Sequence, residues 1–180
     1  SEFALKEPDW KSLAGLYKEF NFTSLMKLIP AEPPTEKECE VVLTLEGLRG
    51  RLGHVENVFS FDLEATGRGP IIDEVVGFSV CPEKGKAFYV PLLHSYDGAP
   101  FQAEKKQSLD ALGVLLQDAN LPKAGHNLKS DILLLDREGV VIKGPLYDTM
   151  LASYLLNPVK ADNRLEGICL DYLSIKKKSL

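Results

Sequence analysis

The 180-residue sequence predicts an α/β domain in which helices flank a mixed sheet of three antiparallel strands plus parallel strands. Short apolar runs typical of strands alternate with segments whose apolar residues recur at helical spacing. Only the turn signal Pro82 to Gly85 separates two strands at residues 71–80 and 87–92, and so short a connection makes that pair antiparallel. Farther along, strand and helix alternate, which is typical of parallel pairing.

The elements follow in order along the chain. Residues 4–29 have helical spacing, with a start at Pro8-Asp9 and either a break or a second capped turn at Asn21 to Ser24. We expect residues 1–38 to form an N-terminal helical segment and linker, and residues 39–180 to form the main domain. In that domain we predict a helix at 45–52, strands at 55–63, 71–80 and 87–92, a helix at 103–117, a strand at 123–125, and helices that open at 127, after 148 and near 164.

Composition excludes several classes of protein. The net charge of −5 argues against a protein that grips nucleic acid mainly through a large basic face, but not against an enzyme whose site is built from carboxylates. No apolar run is long enough to cross a membrane and no signal-peptide pattern is present, so we expect a cytoplasmic protein. The widely spaced Cys39, Cys81 and Cys169 fit neither a disulfide framework nor a zinc site, and we expect reduced, mostly packed thiols.

The first candidate site is Asp62 and Glu64, at the end of an apolar strand. Alternate residues of a strand point to one face, so the two carboxylates face together. They repel each other unless a positive group lies between them, and hard cations such as Mg²⁺ prefer carboxylate oxygens. The pair is therefore a candidate metal site, and a chance pair of surface acids is the alternative for this segment alone.

The second candidate segment runs from Gly125 to Asp131. Asn127 can cap a helix, and Asp131 one turn later can face the strand that carries Asp62, although an exposed helix aspartate is the simpler interpretation. His126 suits a loop residue or a hydrogen-bond partner of a substrate better than a general base. Asp148 directly precedes another helix, which favours capping over catalysis.

Taken in order, these segments resemble the 3′→5′ proofreading exonuclease domain of bacterial family A DNA polymerases, of the polymerase I or Klenow type. Asp62-Leu63-Glu64 matches the first motif of that family, and Asn127 to Asp131 matches the second. Tyr147 to Leu151 resembles a run that follows the second motif. Phe20 to Met26 resembles the junction between the 5′-nuclease region and the exonuclease domain.

The resemblance implies a ribonuclease H-like exonuclease fold and two-metal hydrolysis of 3′-terminal phosphodiesters of single-stranded DNA. It implies two divalent ions, Mg²⁺ or Mn²⁺, held by the catalytic acids Asp62, Glu64 and Asp131. It also implies proofreading in DNA replication and repair, with a polymerase module of the same parent protein as partner and no membrane. Five residues are expected to contact nucleic acid: Thr66, Arg68, His126, Asn127 and Ser130.

This sequence departs from the family pattern at three points. The third motif, Tyr-x-x-x-Asp, supplies a fourth carboxylate and a tyrosine that orients water, and it has no counterpart before Leu180. We therefore expect the domain to be C-terminally incomplete and its activity alone to be weak or absent. Ser130 replaces a bulky residue, often tyrosine, and Arg68 replaces an apolar wedge. The alternatives are a non-catalytic nucleic-acid-binding or scaffold module that retains the fold, and an RNA-trimming relative.

Overall fold

The structure is a computed structural model that describes residues 7–20, 22–26, 28–30, 38–67, 72–160, 162–173 and 175. The chain divides into two compact units. One unit is Thr35–Ala152, and the other combines Ser1–Pro34 with Ser153–Leu180.

The sheet lies in the unit Thr35–Ala152 and has six strands: β1 (Glu38–Val41), β2 (Phe59–Ala65), β3 (Val75–Glu83), β4 (Lys86–Pro91), β5 (Lys123–Gly125) and β6 (Leu146–Asp148). Their order across the sheet is β1-β4-β3-β2-β5-β6. The pairs β2–β3 and β3–β4 are antiparallel, whereas β1–β4, β2–β5 and β5–β6 are parallel. The predicted mixed sheet with three antiparallel strands is confirmed.

The helices of the described residues are α1 (Trp10–Glu19), α2 (Thr23–Met26), α3 (Leu45–Leu52), α4 (Lys105–Leu116), α5 (Leu128–Arg137), α6 (Thr149–Leu156) and α7 (Leu165–Leu173). Each lies where the sequence predicts a helix. Two predicted strands begin too early, because β2 starts at Phe59 and β3 at Val75. The strands β1 and β6 were not predicted. They have four and three residues, none of them buried, so they show no alternation of buried and exposed positions.

The alternation of β2 decides which side chains form the core. Phe59, Phe61 and Leu63 are buried, and the residues between them are exposed on the opposite face. The buried face joins a cluster that includes Leu48 of α3 and Leu109 of α4, neither of which has any exposed surface. Burial of each such side chain contributes about 1.5–3 kcal/mol. The core therefore fixes the orientation of β2.

Local capping explains the start of α1 in the other unit. The Ser12 N–H donates to Asp9 Oδ1 at 3.1 Å, so the helix begins where Pro8-Asp9 predicts. In the same unit Lys160 pairs with Asp171 of α7 at 2.8 Å. Most of the predicted linker, residues 31–37, lies outside the described residues.

The three cysteines are free thiols. Cys81 and Cys169 are half-buried, but Cys39 is exposed on β1, so the expectation of mostly packed thiols is wrong for that residue. Among the helices that the structure describes, none combines the length and the apolar composition required to span a bilayer.

Candidate active site

Asp62 and Glu64 lie on the exposed face of β2, opposite the core. Their neighbours Phe61 and Leu63 are anchored in the core, so the backbone cannot turn these acids inward without exposing apolar side chains. The strand therefore presents two carboxylates side by side, as its alternation predicts.

Asp131 of α5 is buried, with only 5% of its surface exposed. Among the described residues, β5 pairs with Phe59 and Ser60 alone on β2, and no described strand covers the rest of that edge. The N–H of Leu63 donates to the Asp131 carboxylate instead. This hydrogen bond draws the acid from its helix toward β2, and the interpretation of Asp131 as an exposed helix residue is wrong.

Burial, and then the charges of Asp62, Asp148 and Glu64 in that order of size, raise the pKa of Asp131 to about 7, while the Leu63 N–H opposes them. Three other carboxylates therefore act on one buried acid. Asp131 Oδ2 has no hydrogen-bond partner among the described residues. A buried acceptor left unpaired is costly unless a cation or water satisfies it.

The chemistry of these residues fits a hard divalent cation, because the charges of three carboxylates act on a buried acid whose Oδ2 lacks a partner. Within the described residues, no three His, Cys, Asp or Glu side chains already stand close enough together to hold an ion. Carboxylates that no cation neutralises repel one another, and this repulsion keeps their side chains apart.

Asp148 caps two helices. Its Oδ2 accepts from the Leu128 N–H at 2.9 Å and its Oδ1 from the Asn127 N–H at 3.1 Å, both at the start of α5. The same Oδ1 accepts from Met150 and Leu151 of α6, at 2.8 and 3.3 Å. The predicted capping role is confirmed, and it extends to a second helix.

Asn127 has the left-handed φ of 60° and makes no capping hydrogen bond with its side chain. Asp148 takes that role, so the prediction that Asn127 caps the helix is wrong. The Asn127 side chain donates to Ser130 Oγ at 3.1 Å instead. This internal bond holds both polar side chains together at the first turn of α5.

His126 is fixed by a short hydrogen-bond chain. The Thr149 hydroxyl donates its one proton to the Gly125 carbonyl at 3.1 Å, so its oxygen accepts from His126 Nδ1 at 2.9 Å. The proton therefore lies on Nδ1, and Nε2 of the neutral ring is an acceptor. Gly125 itself has no room for a side chain, since a Cβ there would lie 2.3 Å from Leu128 Cδ2.

The other two predicted contacts with nucleic acid lie near the turn after β2. The Thr66 hydroxyl donates to Asp73 Oδ1 at 3.0 Å and accepts from the Glu74 N–H at 3.2 Å, so it is used within the turn. Arg68 lies outside the described residues.

Comparison with known proteins decides the family. A family model described as 3′-5′ exonuclease matches residues 39–179. The chain belongs to this family. DNA polymerase I of Pseudomonas aeruginosa is 33% identical over 184 residues, which cover 93% of this chain and 20% of the relative. The chain thus spans about a fifth of that relative and is an exonuclease domain of the polymerase I type.

Solved structures show the same fold. Pol1 from M. smegmatis, as a POL domain complex with DNA primer-template and dNTP, superposes with a TM-score of 0.61 at 21% identity, covering 77% of this chain and 23% of that one. Brucella melitensis NrnC with bound Mg²⁺ gives 0.60 at 20% identity, covering 81% and 66%. The predicted ribonuclease H-like exonuclease fold is confirmed.

One feature of this exonuclease domain escaped the sequence analysis. The Tyr89 hydroxyl of β4 lies 2.7 Å from His94 Nε2, and the pKa of Tyr89 is raised by burial and then by the charge of Glu64. The sequence shows no ligand spacing at His94, and the register that places Tyr89 on the same sheet face as Glu64 is a property of the sheet.

Proposed function

We propose that this chain is an exonuclease domain for hydrolysis of the 3′-terminal phosphodiester of single-stranded DNA with release of a nucleoside monophosphate, and that its activity alone is weak. Asp62, Glu64 and Asp131 hold two divalent ions, Mg²⁺ or Mn²⁺. The observation that carries the proposal is the buried acid Asp131, whose Oδ2 lacks a partner and whose pKa is raised by the charges of Asp62 and Glu64. Membership of the 3′-5′ exonuclease family and the fold shared with Mg²⁺-bound NrnC support it.

Three acids of the chain contribute to the site: Asp131, which a backbone hydrogen bond fixes, and Asp62 and Glu64, which are exposed on β2. The Leu63 N–H holds one side of the Asp131 carboxylate, which leaves Oδ2 for a cation. Asp62 and Glu64 approach from the exposed face of β2. Asp62, Glu64 and Asp131 would hold the ions, which would supply Lewis-acid activation of water and charge stabilisation at the leaving 3′ oxygen.

The start of α5 lies on the substrate side. His126 presents Nε2 as an acceptor, because Nδ1 is committed to Thr149. Asn127 and Ser130, joined by their own hydrogen bond, lie with it along the terminal nucleotides. Thr66 is held by its own hydrogen bonds to Asp73 and Glu74. Arg68 contacts the single-stranded DNA.

The parent protein adds a polymerase module, since the relatives are DNA polymerases I and the chain matches only a fifth of the one from Pseudomonas aeruginosa. Residues 1–38 form the junction that precedes the exonuclease domain at residues 39–180. The domain then acts on 3′ ends during DNA replication and repair in the cytoplasm.

Release of nucleotide from 3′-labelled single strands, DNA and RNA in parallel, tests the proposal. Asp62→Ala should lower the metal-dependent rate at least about 100-fold, since a metal ion contributes several kcal/mol to the transition state. Asp136→Ala is the matched control, because Asp136 is an exposed acid on the same helix as Asp131. Equal rates for Asp62→Ala and the unsubstituted chain would refute the assignment of Asp62 as a metal ligand.

Calorimetric titration with Mn²⁺ separates the enzyme from a non-catalytic module. We expect binding that Glu64→Ala weakens. A protein that binds single-stranded DNA but neither binds Mn²⁺ nor releases nucleotide is a scaffold with this fold. Faster release from RNA than from DNA indicates the RNA-trimming alternative.

A further inference from the structure

The exposed face of the sheet carries more than the two acids of β2. Glu64 pairs directly with Gly77 of β3, and Gly77 with Pro91 of β4, so these three residues form a row across the strands. Tyr89 pairs with Ser79, in the adjacent row. Directly opposite residues share a face, as do residues two apart on one strand. Tyr89 therefore projects from the same face as Glu64.

Gly77 makes room for Tyr89. A Cβ on Gly77 would lie 2.0 Å from the Tyr89 hydroxyl oxygen, so this hydroxyl occupies the space where a side chain would otherwise stand. Glu64 is the residue directly opposite Gly77 on the neighbouring strand, so the Tyr89 hydroxyl fills the position across from Glu64 on this face. The charge of Glu64 acts on this hydroxyl, since the pKa of Tyr89 is raised first by burial, then by Glu64 and then by Tyr96.

His94 is held in place by a two-bond clamp. The His94 N–H donates to Gln102 Oε1 at 2.8 Å, and Gln102 Nε2 donates to the His94 carbonyl at 2.8 Å. With the backbone fixed in this way, Nε2 of the ring lies 2.7 Å from the Tyr89 oxygen. A series of hydrogen bonds thus runs from the loop after β4 to the candidate site, through Gln102, His94 and Tyr89.

We propose that Tyr89 is a positioning residue for Glu64: His94 Nε2–H donates to the Tyr89 oxygen, and the Tyr89 hydroxyl donates to the Glu64 carboxylate. One oxygen of Glu64 is then fixed, and the other is directed toward the metal. This inference deepens the proposed function and rests on it for its consequence in metal binding. The link between Tyr89 and Glu64 can be tested without that function.

The first experiment compares Mn²⁺ affinity and single-turnover nucleotide release in Tyr89→Phe and the parent. Hydrogen-bond partners of metal ligands typically contribute about 10–100-fold to metal affinity or activity, so Tyr89→Phe should lower both by about tenfold or more. Tyr96→Phe is the matched control, because it removes a hydroxyl from a ring that also contacts His94. It should leave both values unchanged.

His94 variants separate positioning from simple packing. His94→Gln keeps an N–H donor and should retain most of the Mn²⁺ affinity, whereas His94→Leu should behave like Tyr89→Phe. If Tyr89→Phe fails to fold, His94→Leu replaces it in the comparison. A packing role would lower the melting temperature of both His94 variants without lowering Mn²⁺ affinity, and that result would overturn the proposal.

A double-mutant cycle decides the link if the parent binds no Mn²⁺, an outcome in which the proposed function itself fails. The denaturation midpoints of Tyr89→Phe, Glu64→Ala and the double variant are measured in metal-free buffer. Shifts that are not additive support the hydrogen bond between these side chains, and additive shifts overturn it. In a parent that does bind Mn²⁺, unchanged affinity in Tyr89→Phe also overturns it.

Discussion

Replacing Asp131 by asparagine should stabilise the metal-free protein above neutral pH. Asparagine has nearly the same shape, and its carbonyl can still accept from the Leu63 N–H. It removes the buried charge that Asp62 and Glu64 repel. The variant should therefore lose its metal site and gain stability, as expected where a functional site stores unfavourable electrostatics.

The magnitude follows from the pKa of Asp131, which is about 7 in the folded protein against an ordinary value of 3.8. Because the folded pKa is the higher one, the native state binds more protons than the unfolded state between these values. Stability contributed by the protonated acid is thus complete below the unfolded pKa and is lost as pH rises toward the folded pKa. At about 1.36 kcal/mol for each pH unit, the full loss is about 4 kcal/mol.

Urea denaturation with a chelator present measures the effect. The free energy of unfolding of Asp131→Asn minus that of the parent should grow by about 3 kcal/mol between about pH 5 and about pH 8, and then level off. Asp136→Asn, an exposed acid on the same helix, should show no such growth. Added Mg²⁺ should raise the stability of the parent but not of the variant. A difference that does not change with pH would refute the reasoning.

Three further substitutions test the fold around the site. Asp148→Ala should lower the free energy of unfolding by about 2–3 kcal/mol in urea denaturation, because two helices lose their cap; a loss below about 0.5 kcal/mol would contradict the shared cap. Gly77→Ala should cost about 1–3 kcal/mol through overlap with Tyr89, and in a Tyr89→Ala background most of that cost should vanish, whereas an equal cost in both would locate the clash elsewhere. Lys123→Met should cost about 2 kcal/mol, because the buried ammonium group donates to two backbone carbonyls; an unchanged melting temperature would show that water replaces it.

Local sequence patterns predicted most of the scaffold and part of the site. The shared orientation of Asp62 and Glu64 depends only on strand alternation, which the buried residues between them enforce. The strand Lys123–Gly125 was predicted with its exact bounds, because turn residues and a helix start delimit it. The edge strands β1 and β6 were not predicted, because backbone pairing with a neighbouring strand stabilises them and neither contains a buried residue.

Contacts between distant residues account for the features that the sequence did not reveal. The burial of Asp131 depends on the Leu63 N–H of β2, which donates to its carboxylate. That N–H is available to the acid because β5 is too short to pair with it. Asn127 has the composition of a cap, but an acid 21 residues later takes its role. The position of Tyr89 depends on the register of β3 against β4, which neither strand encodes alone.

The carboxylate of Asp148 accepts hydrogen bonds from the backbone at the start of two helices, α5 and α6. The first turn of α5 carries His126 and Asn127 at its entrance and Asp131 within it, and both oxygens of Asp148 hold it. One of them, Oδ1, also holds the first turn of α6. A screen that scored nuclease activity alone would count Asp148 among the metal ligands, since its removal disorders their surroundings. Activity that returns on cooling or with an osmolyte would distinguish such a residue from one that binds the ion.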